Sequence, residues 1–165
     1  MRNRSFKIAA TVTLDGPESE GVLFSHGGRF GGHALFIKDG RLCYTYNWLG
    51  EVEQTVSSDS ELPSGPCVLG VSFDKEGNDE QMSALGTASL YIGDTRVGEA
   101  SIKTQPGKFM LGGEGLNIGR DPGVPVNPTM YSSPFEFAGG RIRDVVVDVS
   151  GEAYVDLELE ALAAM

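Results

Sequence analysis

The chemistry open to this chain is limited by two histidines and two cysteines. His26 and His33 flank the segment HGGRFGG, but two imidazoles fall short of the three or four ligands a zinc site needs. Cys43 and Cys67 occupy alternating positions inside apparent strands. A thiol there packs as a small hydrophobe, so free buried cysteines are favoured over a disulfide, which a single pair cannot establish. His33 and Cys43 would make a thiol nucleophile only if they met. The Asp39-Gly40 pair is a strong signal for a tight hairpin, because both central positions of a type I′ turn need positive φ. Counting outward from it, Lys38 faces Arg41, Ile37 faces Leu42, Phe36 faces Cys43 and His33 faces Tyr46. The register separates the imidazole from the thiol. The glycine-rich stretch 26–32 lies between strands, without the helix N-terminus that a phosphate cradle requires, and reads as a turn or bulge.

Four residues remain as binding candidates. Tyr46 and Trp48 close the run LCYTYNW, and an exposed Tyr and Trp on a sheet would suit a sugar ring or another domain. Tyr44 and Tyr46 share a face with Leu35, Ile37 and Leu42, so core or domain contact is favoured over a sugar platform. Arg120 and Asp121 follow the run LNIG. Asp121 is the best single candidate for a calcium-binding carboxylate, but the reading in which the two residues organise the following loop through hydrogen bonds is favoured. No metal ligand set is assigned.

The elements that must position these residues are strands. Phe6, Ile8, Ala10, Val12 and Leu14 alternate with polar neighbours, a strand pattern rather than a signal peptide. Cys67, Leu69, Val71 and Phe73 do the same in CVLGVSFD, and TASLYIGDTRVGEASI reads as a hairpin turning at Gly93-Asp94. EVEQTVSS reads as a more exposed strand, KFML and GLNIGR as short ones, and GRIRDVVVDVS as the last. Residues 75–86 read as a mobile polar loop. Residues 121–138 form a long loop holding four of the eight prolines, a length more often functional or interfacial than accidental. Ten or eleven short strands with regular turn signals and no helix before residue 150 predict an all-β sandwich or barrel. Residues 1–150 form that domain. The tail 151–165 ends in strong helix formers and would dock on this or a neighbouring domain.

The 165 residues fit one domain able to bury a sizeable core. Thirteen basic against 23 acidic residues give a formal charge of −10, which disfavours nucleic acid and anionic membrane as partners. No apolar run is long enough for a membrane-spanning helix, and a cytoplasmic location is favoured.

From Arg2 to about Leu159 the chain resembles the C-terminal β-domain of a bacterial arylsulfatase. The resemblance rests on MRNRSFKIAATV, EGVLFSHGGRFGGHALFIKDGRLCYTYNWLG, ASLYIGDTRVGE, LNIGRDPGVPV, SPFEFAGGRIRDVVVDVSG and YVDLELEALAA, in that order. It implies a two-sheet antiparallel jelly roll of the concanavalin A-like or laminin G-like kind. In that family a preceding domain carries the catalytic site, with calcium and a formylglycine made from Cys or Ser in a Cys/Ser-x-Pro-x-Arg motif. Neither Cys43 nor Cys67 begins such a motif, and no serine does. The resemblance therefore implies a non-catalytic accessory domain with no catalytic residue and no cofactor of its own. The tail and the 121–138 loop would pack on the sulfatase catalytic domain. The alternative is a carbohydrate-binding, lectin-like module, with calcium as a potential aid and a glycan as partner.

Overall fold

The computed structural model describes residues 1, 3–106, 114–149 and 151. Ten strands follow one another: β1 Phe6–Leu14, β2 Gly21–Gly28, β3 Gly31–Lys38, β4 Arg41–Trp48, β5 Val52–Ser57, β6 Gly65–Asn78, β7 Ala84–Ile92, β8 Thr95–Thr104, β9 Glu114–Ile118 and β10 Gly140–Asp148. They form two five-stranded antiparallel sheets, ordered β10-β1-β6-β7-β8 and β5-β4-β3-β2-β9. No helix occurs among the described residues. The expected KFML strand and the tail beyond Gly151 lie outside the described residues.

The β3–β4 hairpin has the register read from its turn, with Phe36 opposite Cys43 and His33 opposite Tyr46. Asp39 and Gly40 both take positive φ. Between the sheets the period-2 faces meet: Phe6, Ile8, Leu69, Val71 and Phe73 from one, and Phe24, Leu35, Ile37, Leu42, Tyr44 and Tyr46 from the other. Each such large side chain contributes about 1.5–3 kcal/mol by leaving water. Gln54 on β5 ties one edge shut. Its Nε2 donates to Lys103 O and its Oε1 accepts from Lys103 N, both at 2.7 Å.

The two sheets differ in what lies behind them. Strand β1 alternates buried and accessible positions, as a sheet with one open face must. Strands β3 and β4 are buried at almost every position, because the 121–138 loop covers their outer face. Val126 and Tyr131 pack there on Val22, Ala34, Phe36 and Cys43 as a second apolar cluster. The second face of β4, with Cys43 and Thr45, is therefore interior too, and Cys43 is a free, buried cysteine as expected. The long proline-bearing loop packs on its own domain.

Residues 75–86, expected as a mobile loop, are mostly strand. β6 runs to Asn78 and β7 starts at Ala84. A bulge between Lys75 and Gly77 keeps the ladder in step. Asp79 caps the short turn, its Oδ1 accepting from Gln81 N and Ser83 N at 2.9 and 2.8 Å. Gly86 is required here, since a side chain would meet Asp74 O and the Phe73 ring.

Candidate functional site

The four residues singled out from the sequence lie on or beside the covered sheet. Tyr46 is 1% exposed. Its hydroxyl donates to Gln105 Oε1 at 2.9 Å and accepts from Gln105 N at 2.8 Å. Burial raises its pKa. The ring edges against His33, whose Nδ1 lies 2.7 Å from the Tyr44 hydroxyl. His33 is wholly buried, and burial holds its pKa well below 6.5, with His26 adding repulsion. Trp48, at the end of β4, packs against the main core. Lys103 Nζ sits 4.4 Å above its ring and pairs with Asp79 at 2.6 Å. That ammonium occupies a ring face where a sugar would stack.

Asp121 is fully buried. Its Oδ2 accepts from Val126 N at 2.8 Å and from the Tyr131 hydroxyl at 2.6 Å, and its own N–H donates to Pro134 O at 2.8 Å. This carboxylate organises the loop that covers the sheet. Arg120 contributes its carbonyl, which accepts from Ser25 Oγ at 2.9 Å. Asn47 and Asn127 fasten the loop further, through Asn47 Nδ2 to Val126 O and Asn127 Nδ2 to Thr45 Oγ1. Among the described residues no group of three His, Cys, Asp or Glu side chains gathers where it could hold a metal.

An accessible concavity among the described residues lies on the opposite side, on the outer face of the β10-β1-β6-β7-β8 sheet. A groove of about 440 Å³ runs across β1, β6 and β7, within the size range of ligand sites. Its floor is Ala9, Gly70 and Ser72, and its walls include Lys7, Asp74, Tyr91 and Asp94. The groove exists because small residues stand side by side. Ala9 pairs with Gly70, and Gly70 pairs with Tyr91. A second hollow of about 240 Å³ adjoins it, sharing Lys7 and Asp74 and adding Ser5 and Asp148.

The register arranges this floor in rows. One row reads Val146, Ala9, Gly70, Tyr91 across β10, β1, β6 and β7, and the next reads Asp148, Lys7, Ser72, Ser89. The first row is apolar as far as the Tyr91 ring, beyond which β8 sets Arg96 opposite it; Val146 is 58% exposed. The second is polar and charged. A surface with an apolar row beside a polar row matches a ligand with C–H faces and hydroxyl edges. Nearby, Arg143 donates to Asp144 Oδ2 and Thr11 donates to its Oδ1, both at 2.7 Å, and together they lower that carboxyl's pKa.

The two carboxylates lining the main hollow do not form a hydrolytic pair. Asp94 follows Gly93, whose N–H donates to Val68 O, while Asp74 lies six residues further along β6. At about 3.3 Å per residue they stand roughly 20 Å apart along the strand, beyond the 5–10 Å a glycosidase needs. The sequence does carry a signal for the groove, in Gly70 inside an otherwise apolar strand, a position that marks close approach of a ligand or another backbone.

Domains 4–5 of the mouse laminin α1 chain superpose with a TM-score of 0.56 at 14% identity, covering 88% of this chain and 36% of that one. The carbohydrate-binding module of a Ruminococcus gnavus sialidase, bound to α2,3-sialyllactose, superposes with a TM-score of 0.56 at 15% identity, covering 96% and 82%. The chain is a laminin G-like jelly roll. A leech intramolecular trans-sialidase shares this jelly roll at a TM-score of 0.55 and 14% identity, over 96% of this chain and 23% of the enzyme. The chain thus spans about a third of the laminin LG4-5 fragment and a quarter of the leech trans-sialidase. No family model and no curated protein matches it.

Proposed function

We propose that this protein is a non-catalytic glycan-binding module whose ligand lies in the groove across β1, β6 and β7. The observation that carries this reading is the pair of rows on the open sheet, apolar Val146-Ala9-Gly70-Tyr91 beside polar Asp148-Lys7-Ser72-Ser89. Tyr91 supplies a ring for a sugar's C–H face. Lys7, Ser72 and the carboxylates of Asp74 and Asp94 supply donors and acceptors for its hydroxyls. The sugar-binding sialidase module among its structural neighbours supports the reading through the fold alone.

The test is a glycan array followed by calorimetry, run with and without calcium. Tyr91→Ala should abolish or strongly weaken binding. Trp48→Phe, on the far sheet, should leave it unchanged. Binding that survives Tyr91→Ala and disappears in Trp48→Phe would move the site to the end of β4.

The sequence resemblance places such a module beside an arylsulfatase catalytic domain, and that parent would use calcium and formylglycine. Nothing in the comparisons supports a sulfatase parent. The coding sequence upstream decides it: a Cys/Ser-x-Pro-x-Arg motif there would support the parent, and its absence would remove it.

A further inference from the structure

We infer that the groove takes uncharged oligosaccharides of at least two sugar units and rejects chains that end in an acidic sugar. The inference rests on the glycan-binding reading above.

Charge is the first argument. Among the described residues lining the two hollows Lys7 is the one cation, with Arg96 opposite Tyr91 and Arg4 bonded to Gly151 O at their margins, and Asp74 stands in both. Asp94 closes one end of the main hollow, and Asp148 lies in the second. Asp148 is also directly opposite Lys7 in the strand register. A ligand carboxylate at one end of the main hollow would meet Asp74 beside Lys7, and at the other end it would meet Asp94. Sugar hydroxyls meet no such obstacle, because each can donate to a carboxylate oxygen, which only accepts. The acidic balance of the whole chain, 23 acidic against 13 basic residues, adds to the repulsion at long range.

Length is the second. The main hollow is adjoined by the second at Lys7 and Asp74. Along β6 it reaches from Val68 to Asp74, roughly 20 Å at strand rise. One sugar ring covers only part of that span, and the apolar row of Ala9, Gly70 and Tyr91 occupies one section of it. Further units would reach the polar section around Lys7, Ser72 and Asp74.

The experiment is titration calorimetry on the full chain at low and moderate salt. The ligands are neutral gluco-, galacto-, manno- and xylo-oligosaccharides from monosaccharide to hexasaccharide, lactose, and α2,3- and α2,6-sialyllactose. A neutral series should gain affinity by about tenfold or more between the monosaccharide and the tetrasaccharide. Both sialyllactoses should bind more weakly than lactose, and the gap should narrow with salt. The double variant Asp74→Asn/Asp94→Asn should narrow it too. Sialyllactose binding as tightly as lactose, or more so, would overturn the charge argument while leaving the module reading intact. A monosaccharide as tight as the longer chains would overturn the length argument. Silence across every ligand would bring down the glycan-binding reading itself.

Discussion

Replacing Tyr131 by Phe tests whether the Asp121 carboxylate locks the covering loop to the sheet. The substitution keeps the ring, which packs 5.0 Å from Phe36 and 5.1 Å from Phe135 between centroids. It removes one group, the hydroxyl that donates to Asp121 Oδ2 at 2.6 Å. A hydrogen bond to a charged acceptor contributes about 1.5–3 kcal/mol, and burial keeps water from replacing it. For a domain of this size each kcal/mol lowers Tm by roughly 2–4 °C, so Tyr131→Phe should lose about 3–12 °C. Urea unfolding should give the same loss from the midpoint with an unchanged slope. Sugar affinity should not change, because the loop covers one sheet and the groove lies on the outer face of the other. A Tm within a degree of the parent would refute the lock. A lower affinity with intact folding would refute the separation of loop and groove.

Two further outcomes follow from buried groups. His33 is held neutral by burial, with its pKa well below 6.5. Its contribution to stability should be complete above pH 6.5 and fall by about 1.4 kcal/mol per pH unit as pH drops from there toward the folded-state value. Urea midpoints between pH 7.5 and 5 should show a steeper loss for the parent than for His33→Gln, and equal slopes would contradict the assignment. Cys43 is buried under the loop with its pKa raised by desolvation, and Cys67 is half-buried. Alkylation of the native protein, followed by mass spectrometry, should modify Cys67 first; Cys43 reacting first would contradict the covered sheet.

Much of the sandwich was readable from single turns. Asp39-Gly40 and the alternation on either side of it gave the β3–β4 register residue by residue, because a two-residue turn leaves no freedom in pairing. The reading stopped where chemistry depends on strands distant in sequence. β6 lies between β1 and β7, and no local pattern says that Gly70 will sit beside Ala9. The groove was therefore invisible, although its glycine was in plain view. The covered face failed for a different reason. Thr45 and Asn47 look solvent-facing by alternation, yet both are buried against Asn127 and Val126. A proline-bearing loop has no period from which to read the surface it covers. Asp121, directly after LNIGR, stands out in the sequence, and its bonds to Val126 N and the Tyr131 hydroxyl serve the loop.

The alternation of β1 and β6 has a consequence for variation. Phe6, Ile8, Ala10, Leu69, Val71 and Phe73 point inward, while Lys7, Ala9, Gly70, Ser72 and Asp74 face the groove. Odd and even letters of the same strands thus carry independent instructions. Lys7, Asp74 and Tyr91 can be randomised together in a display library without altering a single residue of the interior. Descendants of this chain could drift from one ligand to another through those letters alone, with the scaffold spelled out unchanged between them.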